Sequence, residues 1–212
     1  MVNGKLLNCS GQKPMNFLAH IYLSGDHPDI LLGNFMADQI KGRDLSNYSE
    51  SVRIGIQLHR GIDHFTDTSE INKLCRDLIR PTMGKYAGVV LDVFYDHFLA
   101  KNWNSHHSIE LNEFVSSTYD FIESRKHEMP PRTQDLFQYM QKQNWLSNYA
   151  HIEGIERALI GLSRRAKHGE QMANSKAELI NNYDEINDKF DEFFPLIKDF
   201  CRDFLLENKV GP

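Results

Sequence analysis

The segment Ala87 to Ala100, AGVVLDVFYDHFLA, is apolar nearly all the way round when wound as a helix. Such a helix offers no face to water, so it belongs at the centre of a fold with other elements packed about it. The flanking sequence keeps the same period: apolar residues recur at helical spacing and strand-like alternation is scarce. Prolines at 14, 28, 81, 130, 131, 195 and 212 leave long proline-free segments between punctuated turns. The pattern predicts helices at about 15–24, 28–41, 49–79, 84–103, 109–128, 131–143, 151–166 and 175–206. Pro28 suits a first helical turn, Ser108 precedes another helix, and Pro195 is expected to kink or divide the last one. The expected fold is all-α, a single-domain multi-helix bundle.

Composition narrows the classes. The chain has 212 residues, enough to bury a core unaided, with 41% hydrophobic and 25% charged residues. No stretch approaches the roughly 20 apolar residues of a membrane span. A formal charge of -5 supplies no global basic field for nucleic acid. Cys9, Cys75 and Cys201 are scattered and odd in number, which reads as free thiols in a reducing compartment. Residues 1–14 lack the apolar run of a secretory signal and are expected to be a flexible leader, with the domain at 15–212 and a cytoplasmic location.

Within the apolar segment, Asp92 and Asp96 stand one helical turn apart. A buried, ionised carboxylate needs compensation, and two close together need more. Basic partners from another helix, exposure along a polar edge, or a divalent metal would each serve. His97 lies about 100° round the helix from Asp96, as a ligand, a supporting group or a core histidine. In LHRGIDHFTD at 58–67, His59 and Asp63 repeat the one-turn spacing, and Asp67 extends the row. That mixed nitrogen and oxygen pair suits Mn, Fe or Zn, although such a pair is also common on surfaces. Arg60 could hold a phosphate beside it. Asn34 and Asp38 share a face in GNFMAD, where Asp38 interrupts an apolar stripe, and His20 closes MNFLAH. Taken alone, Asp38 is a helix-end carboxylate facing water and His20 a core histidine.

Taken together, MNFLAH at 15–20, GNFMAD at 33–38, LHRGID with TD at 58–67 and LDVFYDHFL at 91–99 resemble the acyl carrier protein phosphodiesterase family, also called acyl carrier protein hydrolases. Asn144-Trp145-Leu146 adds a further similar feature, and the resemblance spans about residues 15 to 200. It implies an all-helical fold related to the His/Asp-domain metal phosphohydrolases. It also implies Mn²⁺-dependent hydrolysis of the phosphodiester that joins 4′-phosphopantetheine to a serine of holo acyl carrier protein. The site residues it implies are Asp38, His59, Asp63, Asp92 and Asp96 as metal ligands, with His20 and His97 also at the site. One departure from the wider superfamily stands out: the chain has no His-Asp dipeptide, only the reversed Asp26-His27, Asp63-His64 and Asp96-His97.

On this basis His97 or His20 is expected to protonate the serine leaving group, with Arg60 neutralising phosphate charge. Acyl carrier proteins are acidic, as the family resemblance implies, so docking needs a local basic patch. Lys41 and Arg43, close after Asp38, are the candidates. Arg164, Arg165, Lys167 and His168 form another basic cluster, of the kind a helix C-terminus attracts anyway. Two other functions stay open at this point: a metal phosphohydrolase acting on a small phosphoester or nucleotide, and a non-catalytic helical binding module.

Overall fold

The computed structural model describes residues 16–211, so the expected leader at 1–14 and Cys9 lie outside the described residues. Eleven α-helices follow in order among the described residues: α1 (Phe17–Tyr22), α2 (Pro28–Met36), α3 (Glu50–Thr68), α4 (Glu70–Met83), α5 (Ala87–Lys101), α6 (Leu111–Ser124), α7 (Pro131–Lys142), α8 (Trp145–Asn148), α9 (Ile152–Ser163), α10 (Ser175–Asn181) and α11 (Tyr183–Glu207). No strand forms among the described residues. The apolar segment is α5, as expected, and it is central: Val90, Phe94, Phe98 and Leu99 are wholly buried. Helices α1, α4, α9 and α11 pack against it.

The expected helix at 49–79 is two helices. Ser69 leaves helical geometry with φ -67° and ψ 128°, and its side chain accepts from the Asn72 amide at 3.4 Å, starting α4 with a cap. Pro81 sits inside α4, so that helix runs past the residue expected to end it. The last segment also divides differently from expectation. The break falls at Asn182, and α11 continues through Pro195, which is exposed. Pro28 occupies the first turn of α2, while α6 begins after Glu110 rather than Ser108.

Helix α2 crosses α3 with backbone against backbone. A Cβ on Gly33 would collide with the Val52 carbonyl, and one on Gly55 with the Ile30 carbonyl. Two glycines thus let the backbones touch, where any side chain would hold the helices apart. Asn34 follows the first glycine, and His59 lies one turn beyond the second.

Candidate metal centre

Three consecutive helices deliver the polar groups that meet beside this crossing. His20 comes from α1, Asn34 from α2, and His59 and Asp63 from α3, with Asp38 on the short 3₁₀ turn Ala37–Gln39 after α2. The imidazoles of His20 and His59 are stacked, with centroids 4.2 Å apart and planes 30° apart. Both are buried. His20 Nε2 lies 3.5 Å from Asp63 Oδ1. His59 Nε2 lies 3.7 Å from Asp63 Oδ2 and 3.3 Å from Asp38 Oδ1. On the far side of both rings stands one atom, Asn34 Oδ1, at 2.7 Å from His20 Nδ1 and 3.0 Å from His59 Nδ1. Burial, followed by the proximity of His59, holds the His20 pKa below the usual imidazole value.

The arrangement fits a divalent cation. His20, His59 and Asp63 each offer one ligand atom, all within 4.8 Å of one another. Two imidazole nitrogens and a carboxylate oxygen form a donor set suited to a borderline metal. Asp38 Oδ2 is buried without a hydrogen-bond partner, a costly condition for a carboxylate oxygen unless something cationic balances the group.

The α5 residues do not join this group. Asp96 is wholly buried, and its oxygens accept from the amides of Leu18 at 3.1 Å and Ala19 at 2.8 Å. Those amides belong to the first turn of α1, where donors have no partner inside the helix. Asp96 therefore caps α1 from another helix, and burial raises its pKa to about 8 against the opposing pull of the two amides. His97 has both nitrogens engaged, Nδ1 with the Tyr149 carbonyl at 2.8 Å and Nε2 with the Tyr183 hydroxyl at 3.0 Å. Its place is between α5, the end of α8 and α11. Asp92 is half-buried on α5, outside the three-residue group. Asp67 is likewise outside it, exposed near the end of α3.

Arg60, half-buried, donates to the carbonyls of Ile40 at 3.3 Å and Gly42 at 2.9 Å. It pins the loop that leaves Asp38, and on that loop Lys41 and Arg43 are exposed. In the other basic cluster, the Arg165 guanidinium lies 5.9 Å from the centre of the Trp145 ring. A cavity of about 360 Å³ opens elsewhere, lined by residues including Tyr22, His107, Lys198, Cys201 and Arg202, and none of the grouped residues borders it.

Sequence reasoning missed the role of Asn34. Its partners are 14 and 25 residues away, beyond the reach of any helical period. Its position one turn before Asp38 on the same face was the available signal.

The sequence profile described as acyl carrier protein phosphodiesterase matches residues 15–197. The chain is 34% identical over 182 residues to the acyl carrier protein phosphodiesterase of Klebsiella pneumoniae (strain 342), covering 85% of this chain and 94% of that one. It is 32% identical over 190 residues to the protein of that name from Serratia proteamaculans (strain 568), covering 89% and 98%. The Photorhabdus laumondii protein of that name is 33% identical over 182 residues, covering 85% and 92%. No solved structure matches.

Proposed function

The chain belongs to the acyl carrier protein phosphodiesterase family, and from that premise we propose that it is a metal-dependent phosphodiesterase acting on holo acyl carrier protein. Water adds its oxygen to phosphorus, the bond from phosphorus to the serine oxygen breaks, and that oxygen takes up a proton. The products are apo carrier protein and 4′-phosphopantetheine. The observation that carries this is the convergence of His20, His59 and Asp63 within 4.8 Å, on two segments that bear the family motifs.

His20, His59 and Asp63 would hold the metal, with Asp38 as the adjacent oxygen donor. We take it to be Mn²⁺, which the mixed donor set suits. When bound, a divalent cation supplies Lewis acidity, acidifying water and drawing charge from a phosphate oxygen. Asp63, with its side chain 27% exposed, lies at the open side of the group, where a phosphodiester can approach. Arg60 keeps the Ile40–Gly42 backbone in place, so its contribution is to hold Lys41 and Arg43 on the rim rather than to grip the phosphate. Those two cations give an acidic carrier protein a local landing point on a chain of net charge -5. A relation to the His/Asp-domain phosphohydrolases is supported by an all-helical scaffold with histidines and aspartates at one site. We take residues 15–212 as the hydrolase domain, working in the cytoplasm with its carrier protein. No helix among the described residues is long and apolar enough to cross a membrane.

Incubation of the purified protein with holo carrier protein and Mn²⁺, followed by intact mass, tests the proposal. Loss of the phosphopantetheine mass from the carrier protein is expected. An unchanged carrier protein in the presence of bound metal would overturn the substrate assignment and favour a small phosphoester. Failure to bind metal at all would overturn the centre itself.

A further inference from the structure

Asn34 is wholly buried and all of its side-chain groups are engaged. Its nitrogen lies 2.9 Å from the His20 carbonyl oxygen and 3.0 Å from Ser24 Oγ. A carbonyl only accepts, so the end of the amide that faces it has to be the NH₂ group. Ser24 Oγ agrees, because its own proton goes to the same carbonyl at 2.9 Å, leaving a lone pair for Asn34. The opposite end of the amide is then oxygen, which cannot donate. Whatever hydrogen-bonds to it has to bring the proton, and the atoms within reach are His20 Nδ1 and His59 Nδ1. A neutral imidazole has one ring proton to place, and on each ring the contact at Nδ1 is shorter than any carboxylate contact at Nε2. A neutral imidazole protonated at Nδ1 carries its lone pair on Nε2.

We infer that Asn34 is the positioning residue of the centre: one amide oxygen fixes both histidines as Nδ1–H tautomers and so turns two Nε2 lone pairs toward the carboxylates of Asp63 and Asp38. In the neutral state the His20 Nε2 lone pair then faces the carboxylate of Asp63, and the His59 Nε2 lone pair those of Asp38 and Asp63, contacts that a bound cation would make favourable. The amide thus selects a metal-ready state before any metal arrives. The inference rests on His20 and His59 being the metal-holding residues, but its central claim concerns the tautomers and can be read without metal.

The test is long-range ¹H–¹⁵N correlation of the histidine side chains in metal-free, full-length protein, at a pH above the imidazole range. Both His20 and His59 should display the Nδ1–H pattern. In Asn34→Leu, which has no acceptor, one or both should change to Nε2–H or to a mixture, and Mn²⁺ affinity should drop about 10–100-fold. An Nε2–H pattern at either ring of the unaltered protein would overturn the inference, whether or not the leucine variant folds. Unchanged tautomers in a folded Asn34→Leu protein would also overturn it. The expected tautomers together with an inactive enzyme would instead count against the carrier-protein assignment and leave Asn34's role standing.

Discussion

On α3, His59 and Asp63 stand one turn apart and turn toward each other, 3.7 Å from nitrogen to oxygen. On α5, Asp96 follows Asp92 at the same spacing, yet its oxygens go to the amides of α1 while His97 is held by Tyr149 and Tyr183. The residue types are alike, and the difference lies in what each helix faces. Helix α3 meets α2 at a glycine crossing beside a partly open surface, where Asp63 and Asp38 keep some exposure. Helix α5 is enclosed, so its polar atoms have to be satisfied by whatever surrounds them, and the start of a short helix supplies two bare amides. A carboxylate in apolar surroundings therefore signals a demand for compensation without specifying a metal.

The sharpest way to break this contrast is to remove a ligand. His59→Ala or Asp63→Ala should lower turnover by about three orders of magnitude, taking several kcal/mol of lost charge stabilisation at about 1.36 kcal/mol per tenfold. Far-UV circular dichroism should stay helical and the intact-mass assay should report the loss. On the α5 side the expected damage is to the fold. Asp96→Ala strands two buried amides and should lower unfolding free energy by about 2–4 kcal/mol in urea titrations, with Asp96→Asn costing less. If Asp96→Ala kept full stability but lost metal binding, the two helices would not differ as described.

A third measurement uses pH. Asp96 has a folded-state pKa near 8 against an ordinary value of 3.8. Between those values the folded protein holds a proton that the unfolded chain has released. Stability from this group is therefore full at low pH and falls as pH rises toward 8, by at most about 1.4 kcal/mol per pH unit. Asp96→Asn removes the effect, so the stability gap between the two proteins should narrow from pH 5 to pH 8. A gap that widened would put the carboxylate in its charged form.

The smallest effect is expected at the rim. Lys41→Ala and Arg43→Ala should each raise KM for holo carrier protein about fivefold or less, as the loss of roughly 1 kcal/mol implies, with kcat unchanged. Added salt should mimic and then mask the substitutions.

Much of this was legible from residue order, and what was not has a common cause. The central place of α5 followed from its lack of a polar face, and the His59–Asp63 pair from its one-turn spacing. Both are properties of a single helix. The capping of α1 by Asp96, separated by 77 and 78 residues, and the sharing of Asn34 Oδ1 by two histidines depend on which helices meet, and helical periodicity carries no information about that. Asp96 and His97 matched the family pattern, but a resemblance marks positions without saying what each does there. Prolines misled in the same way. Pro81 and Pro195 lie within helices, and the breaks fall instead at Ser69 and Asn182, which the spacing of apolar residues had bridged.

The contact between Gly33 and Gly55 has a consequence for how the protein tolerates change. Where two helices are spaced by side chains, repacking at one layer shifts the next. Here backbone rests on backbone, so the separation of Asn34 from His59 is set by main-chain atoms that substitution cannot shorten or stretch. Wholesale replacement of apolar residues around α6, α7 and α10 should leave that separation alone, whereas a single methyl group at either glycine would force the helix pair open. Variation elsewhere leaves the spacing of the centre alone so long as this seam stays bare.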